Sequence, residues 1–364
     1  MGISEKIKSI EEEISKTPVN KGTERHLGLL KARLARLRDE EEERERKSQN
    51  SGEGYSVAKD GDATVVLLGL PSVGKSTLLN QLTNSNSKVG AYDFTTLDVI
   101  PGMLSYKGAK IQILDIPGVI RDASKGKGLG KRILSITRSA DLLLVLIDIY
   151  RPEIRDMLLD ELRAVGIRPD ETKPKIIIEK RGSGGIHVTD MIGMSKMDDE
   201  GIKEILKEYK YHNARVVVRE DASYDQLVDV LLDNRSYVPT ITAVNKIDLV
   251  DPKEIERLRE ALDFDFIPIS AEGNLNLDFL KLEIFDKLHL IRVYMKPKGQ
   301  DPDFKEPLIV KKGSTIENIS DRIHRELKNE IRFTRVWGKS VKYGGQKVSL
   351  THQPIDEDIV TFYT

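Results

Sequence analysis

Residues 69–76 read GLPSVGKS, the spacing GxxxxGKS. The apolar run ATVVLL precedes them and STLLNQLT follows at 76–83, so the glycines stand where a strand turns into a helix. Gly69 and Gly74 let the main chain curl until successive N–H groups face a phosphate. The start of the helix adds positive potential. Lys75 can reach β- and γ-phosphates, and the Ser76 hydroxyl can ligate Mg²⁺. The phosphate-binding set is then Gly69, Pro71, Ser72, Val73, Gly74, Lys75, Ser76 and Thr77.

Three further stretches complete a nucleotide site. NKID at 245–248 ends an apolar run. The Asp248 carboxylate can accept from guanine N1–H and its 2-amino group. Adenine lacks both donors and would leave a buried Asp248 unpaired. Asn245 can contact N7 and tie its loop to the phosphate loop, while the stem of Lys246 can cover the base. SAE (Ser270, Ala271, Glu272) follows the last strand of this region, where N–H groups around Ala271 can meet guanine O6. DIPG at 115–118 supplies Asp115, expected to hold Mg²⁺ through water, and Gly118, whose N–H can sense the γ-phosphate. In AYDFTTLD at 91–98, Thr96 is favoured over Thr95 to close over the metal, standing nearer the following strand. The expected metal set is Ser76, Thr96 and Asp115, and the expected catalytic set is Lys75, Thr96 and Gly118. Val119 stands where many GTPases carry a glutamine that orients water. Its side chain cannot hold a water molecule, which leaves either an enzyme without its water-positioning residue or a switch that hydrolyses by other means. The glycine-rich, basic stretch RDASKGKGLGKR at 121–132 reads as a second switch. In it Arg121, Lys125 or Lys131 either approach the phosphates or are solvated loop charges.

The elements that must hold these residues alternate. Strands are expected at 63–69, near 98–104, at 110–115, 141–148, 240–246 and 265–270, with helices at 76–83 and 153–165. That order means a parallel-rich sheet covered by helices. About seventy residues separate the helix ending near 166 from the strand at 240, too many for a connection. KIIIE, GIHVT and ARVVVRE within them read as strands. GIKEILKEY and SYDQLVDVLL read as helices, the latter capped by Ser223. This is an inserted small α+β domain, in which RGSGGI at 181–186 is expected to be a hairpin turn or a basic phosphate nest. Ahead of the sheet, apolar residues at helical spacing predict two helices folded about TPVNKG at 17–22. They form either a partner-binding arm or a hairpin packed on the nucleotide domain, and SQNSGEG at 48–54 is a linker. After 291 the pattern is ββαβ with further strands, a β-grasp unit. The expected boundaries are 1–50, 60–290 with an insertion at 172–238, and 291–364.

The chain has 364 residues, 39% of them hydrophobic and 32% charged, with a formal net charge of −1. Nucleic-acid binding must therefore come from a local patch. The C-terminal unit offers one in Lys311, Lys312, Arg332, Arg335, Lys339, Lys342 and Lys347, with Trp337 and Tyr343 among them. There is no cysteine, hence no disulfide or thiolate metal site. The six histidines have no metal-ligand spacing. LLLVLI at 142–147 is too short to cross a bilayer, and the charged N-terminus has no apolar leader. A cytoplasmic protein is expected.

GLPSVGKSTLLNQLT, YDFTTLDVIPG, DIPGVI, NKID and SAE together resemble the Obg-related GTPases, and within them the developmentally regulated GTP-binding proteins of archaea and eukaryotes. The resemblance spans nearly the whole chain. It implies an α/β P-loop GTPase domain with an N-terminal helical hairpin, a ribosomal S5 domain 2-like insertion and a C-terminal TGS domain. It implies slow GTP hydrolysis with Mg²⁺, and association with ribosomes or structured RNA through the TGS domain and the switch surface. It also implies a protein partner on the N-terminal helices, with no membrane and no DNA. Some relatives hold K⁺ with a phosphate-loop asparagine; Ser72 stands there in this chain, a departure. Three readings follow: a ribosome-linked GTPase switch, a nucleotide-gated scaffold acting through residues 1–50, and an RNA-binding module whose nucleotide domain is structural. Intact Lys75, Ser76, Asp115 and Asp248 argue against the third.

Overall fold

The computed structural model describes residues 3–20, 22–48, 60–83, 100–116, 136–137, 139–324 and 326–364. In chain order the first elements are helices α1 (Ile3–Lys16) and α2 (Glu24–Ser48). They are followed by β1 (Ala63–Leu68), α3 (Lys75–Leu82), β2 (Ile100–Tyr106), β3 (Ala109–Asp115), β4 (Leu142–Asp148), α4 (Ile154–Ala164) and β5 (Ile167–Pro169). The insertion brings β6 (Ile176–Lys180), β7 (Ile186–Asp190), α5 (Asp199–Glu208), β8 (Ala214–Val218), α6 (Tyr224–Leu232) and β9 (Ser236–Val238). Then come β10 (Thr240–Asn245), α7 (Pro252–Ala261), β11 (Ile267–Pro268) and α8 (Leu277–Lys287). The C-terminal elements are β12 (Leu290–Met295), β13 (Leu308–Lys311), α9 (Ile316–Ile323), α10 (Leu327–Glu330), β14 (Phe333–Trp337), β15 (Gln346–Val348) and β16 (Asp358–Tyr363).

The chain divides into two units: Met1–Gly54 with Glu171–Tyr237, and Tyr55–Asp170 with Val238–Thr364. The larger holds a six-stranded sheet in the order β11-β10-β4-β1-β3-β2. All neighbours are parallel except β2, which pairs antiparallel with β3. β1 and β4 are continuous apolar runs because both faces of the sheet are covered. Leu78, Leu79, Leu280 and Ile284 of α3 and α8 close one face. Leu158, Leu159 and Leu162 of α4 close the other, with Ile255 and Leu258 of α7 packed beside them. The register sets Leu67 beside Asp115 and Asn245 beside Asp148. The carboxyl ends of β1, β3, β4 and β10 thus converge at one edge, where open α/β sheets bind ligands. The second strand runs later than its expected 98–104, because Lys107 and Gly108, both at positive φ, make the turn into β3.

The C-terminal sheet has the order β13-β12-β16-β14-β15, with β12 and β16 parallel at its centre and α9 over one face. Thr315 and Asn318 form a capping box at the start of α9. The helix ends at Ile323, because His324 is extended. This sheet docks on the amino ends of the nucleotide-sheet strands. Lys311 pairs with Asp141 at 2.7 Å and Arg322 with Asp62 at 2.6 Å, both acids lying one residue before a strand.

In the smaller unit, β6, β8 and β7 form a sheet in that order, with β6 antiparallel and β7 parallel to β8. RGSGGI is therefore not a hairpin turn, because β8 lies between the strands it joins. The stretch passes around the start of β8, where the Gly185 N–H donates to Asn213 Oδ1 and the Arg181 N–H to the Asn213 carbonyl. Ser223 caps α6 with Gln226 in a reciprocal box. The N-terminal hairpin lies against the insertion, a support that neither sequence expectation named. Ala32 of α2 is fully buried in the same cluster as Ile202, Ile205 and Leu227. The Tyr209 hydroxyl donates to the Ala32 carbonyl at 3.1 Å. Gly28 faces Tyr224 so closely that a Cβ would lie 2.7 Å from the ring. Arg25 bridges Glu200 and Glu204 at 2.8 and 2.6 Å, and Lys31 meets Asp225 at 2.6 Å.

Candidate nucleotide-binding site

The phosphate loop leaves β1 at Leu68 and enters α3 at Lys75. Gly69 and Val73 are buried, Pro71, Ser72, Ser76 and Thr77 are exposed, and Gly74 lies between. Two residues turn the chain through the left-handed region, Ser72 at φ 65° and Gly74 at φ 101°. At Gly74 a Cβ would meet Asn245 Nδ2 at 2.4 Å, so glycine serves both conformation and approach. Lys75 is 8% exposed, and its ammonium donates to the Gly69 and Leu70 carbonyls at 3.0 and 3.1 Å. The loop's own main chain thus holds the cation at its centre.

Asp115 closes β3 beside this loop and is 2% exposed. Burial pushes its carboxyl up, against the opposing pull of Lys75 and a hydrogen bond from Ser76. Burial also lowers the Lys75 ammonium, which Asp115 partly restores. Asp115 Oδ1 has no hydrogen-bond partner among the described residues. An orphaned, buried carboxylate oxygen beside an exposed serine hydroxyl is an oxygen donor set that fits Mg²⁺. Thr96 and Gly118, the other residues expected at the metal and γ-phosphate, lie outside the described residues. So do Thr95, Val119, Arg121, Lys125 and Lys131.

Asn245, at the end of β10, ties three loops together. It is 3% exposed. Its Nδ2 donates to the Val73 carbonyl at 2.8 Å, and its Oδ1 accepts from the Ala271 N–H at 2.9 Å. The phosphate loop and the SAE loop are thereby joined through one amide. The Ala271 N–H, expected to face guanine O6, is occupied by that bond. Ser270 is fully buried and accepts from the Gly273 N–H at 2.8 Å, shaping the turn that exposes Glu272. Lys246 sits at φ 71°, which swings the chain into the short 3₁₀ turn Ile247–Leu249 and presents Asp248. Asp248 is exposed rather than buried, because it stands on that turn and not in the sheet.

Sequence reasoning passed over Asp148. It closes β4 directly across from Asn245, and its Oδ2 meets the Lys246 ammonium at 2.6 Å. Burial works to raise this carboxyl, but Lys246 and the Tyr150 N–H outweigh it and leave it below its usual value. The pair fixes the lysine stem beside Asp248. The signal was the polar end of the run LLLVLID, where a strand of this sheet meets the site edge.

The chain matches three consecutive family descriptions: "50S ribosome-binding GTPase" over residues 64–181, "C-terminal region of MMR_HSR1 domain" over 183–290, and "TGS domain" over 291–364. It is 43% identical over 361 residues to human Developmentally-regulated GTP-binding protein 2, covering 99% of each chain. It belongs to the developmentally regulated GTP-binding proteins. An uncharacterized GTP-binding protein of Methanocaldococcus jannaschii is 48% identical over 364 residues, 99% of this chain and 93% of that one. The Schizosaccharomyces pombe YchF GTPase structure aligns with a TM-score of 0.47 at 15% identity, over 84% of this chain and 99% of that one. As a member of this family the chain is a GTP-binding protein, a P-loop GTPase domain followed by a TGS domain. Among the described residues no helix is long and apolar enough to cross a membrane.

Proposed function

We propose that this developmentally regulated GTP-binding protein is a cytoplasmic GTP switch that hydrolyses slowly and engages ribosomes or structured RNA. The observation that carries the reading is the Asn245 bridge, which makes phosphate recognition and base recognition one structure. The N–H groups from Ser72 to Thr77 bind the phosphates, and Lys75 shifts from its loop carbonyls onto them. Asp248 reads the guanine edge, with the Lys246 stem held over the base by Asp148. Ser76, Thr96 and Asp115 would hold Mg²⁺, which would supply charge neutralisation at the phosphates. Gly118 reads the γ-phosphate and so separates the GTP state from the GDP state.

Val119 has no group to hold water, so turnover is slow until positioning or charge arrives from outside the chain. K⁺ held near Ser72 is one source; the left-handed backbone at Ser72 is a conformation that asparagine also adopts readily. A ribosome is the other source, and the family description of residues 64–181 supports it. The test is steady-state GTP hydrolysis in potassium buffer with and without purified ribosomes, using Lys75→Ala as blank. Ribosomal stimulation of the wild type alone is expected. Slow turnover throughout would favour the second reading, a nucleotide-gated scaffold. That reading draws on the hairpin, in which α1 packs on α2 and keeps charged side chains such as Lys6, Lys8 and Glu12 exposed.

A further inference from the structure

The TGS sheet has one face closed by α9 and one left open. On the open face the strand pleat places Phe333, Arg335 and Trp337 in a row along β14. Their cross-strand partners extend the row sideways: Tyr363 opposite Phe333, Thr361 opposite Arg335, and Lys347 opposite Arg335 on the other side. Lys296 stands next in line, its carbonyl accepting from the Thr361 hydroxyl at 2.7 Å. The face is thus a band of cations between two aromatic groups. Phe333 and Tyr363 stack at 4.4 Å between centroids, 15° from parallel. Trp337 lies four residues up the strand, roughly 13 Å away at the usual strand rise. A cavity of about 480 Å³ opens between Trp337 and Tyr363, with Thr361, Lys296, Lys298 and Asp301 in its wall.

The cations of this face lie without an acid beside them. None of Lys296, Arg335 and Lys347 has a carboxylate partner among the described residues. Each instead lies over a ring: Lys296 over Trp337 at 5.0 Å, Arg335 over Tyr363 at 5.6 Å, and Lys347 over Phe333 at 4.8 Å. Some basic side chains elsewhere pair with acids, as Arg25, Lys31 and Arg292 do, and Lys180 and Arg259 lie singly over a ring; here three such cations share one face with three rings. Unpaired cations interleaved with half-exposed rings complement a ligand that carries both anionic groups and flat faces.

We infer that this face binds an unpaired RNA strand, one base stacking on Trp337 and another on the Tyr363–Phe333 pair. Lys296, Arg335 and Lys347 turn from the rings to the phosphates between them. The roughly 13 Å separation suits two bases with a phosphate-bearing stretch between, and stacking accepts any base. A duplex hides its base faces and offers only phosphates, so it lacks half of the recognition. The inference deepens the RNA-facing part of the function proposed above and names the face and the kind of RNA.

Trp337 is the only tryptophan in the chain, so its fluorescence reads this face directly. The experiment titrates the full-length protein with a twelve-residue oligouridylate, a hairpin duplex, the matching DNA strand and polyglutamate. The single-stranded RNA is expected to quench Trp337 and bind most tightly. Tyr363→Leu is expected to weaken it by about fivefold or more. Arg335→Gln and Lys347→Gln, both on exposed side chains that leave the fold alone, should each flatten the salt dependence by about 0.7 in slope. Absence of quenching, or tighter binding of duplex, DNA or polyglutamate, overturns the inference. So does duplex binding that Tyr363→Leu leaves untouched. Strand binding without ribosomal stimulation of GTP hydrolysis keeps this face and removes the switch, so the two readings fail separately.

Discussion

Replacing Asn245 by alanine isolates the junction between the phosphate loop and the base-recognition loops. The side chain makes two buried hydrogen bonds, to the Val73 carbonyl and from the Ala271 N–H. Val73 is 5% and Ala271 1% exposed, so neither freed group reaches water without loop movement. Leaving a buried polar group unsatisfied costs roughly 1–3 kcal/mol, so two of them put the loss at about 2–6 kcal/mol. The loops relieve that cost by separating, and nucleotide must then bring them back together. At the lower bound GDP affinity falls about thirtyfold, since each 1.4 kcal/mol is roughly a factor of ten. A fluorescent GDP analogue titrated into wild type and variant measures it. Asn245→Asp sharpens the experiment: it keeps an acceptor for Ala271 but sets an oxygen against the Val73 carbonyl. The aspartate variant should therefore bind no better than alanine. Wild-type affinity in Asn245→Ala, with the fold intact by circular dichroism, would refute the reasoning.

Other consequences are equally open to measurement. Gly28→Val cannot fit against Tyr224, where even a Cβ would lie 2.7 Å from the ring. Overpacking of about 1–3 kcal/mol should loosen the hairpin and speed proteolysis in the turn at 17–23, with GTP binding unchanged. The Arg25 guanidinium holds the Glu204 carboxyl below its usual value. Its contribution is present above the unfolded-state value and lost as pH falls through the folded-state value. Protection of the hairpin turn from protease should therefore decline on acidification below the usual glutamate range, and Glu204→Gln should remove that pH dependence. Burial raises the Asp115 carboxyl, so the fold favours its neutral form and the free protein gains stability as pH falls through that raised value. Asp115→Asn should accordingly raise the thermal midpoint of the nucleotide-free protein while abolishing the Mg²⁺-dependent tightening of GTP. A lowered midpoint would show that the carboxylate is structural.

Much of the sheet domain was legible because its signals are local. A strand, a glycine loop and a helix in register announce the phosphate loop. Continuous apolar runs such as LLLVLI announce parallel strands buried on both faces. What remained hidden depends on partners distant in sequence. Asp148 reads as the polar end of a strand until the sheet sets it across from Asn245, 97 positions further on. The hairpin's support on the insertion comes from Gly28, Ala32 and Arg25 meeting residues about 170 to 200 positions away, and a helical period names a buried face without naming what covers it. The RGSGGI stretch looked like a turn because glycines mark turns. Whether the flanking strands pair is decided by a third strand, β8, which the chain has not yet reached. Asp248 was expected to be buried from its chemistry, yet the left-handed turn at Lys246 puts it outside the sheet.

On the reading proposed above, the GTP state changes what this protein binds. Cosedimentation with purified ribosomes is the decisive measurement, comparing a nonhydrolysable GTP analogue with GDP in wild type and Lys75→Ala. The wild type should pellet with ribosomes in the analogue and far less in GDP, while Lys75→Ala should show no difference between them. Equal cosedimentation in both nucleotides, unchanged in Lys75→Ala, would contradict that reading and make the nucleotide domain a scaffold for RNA binding.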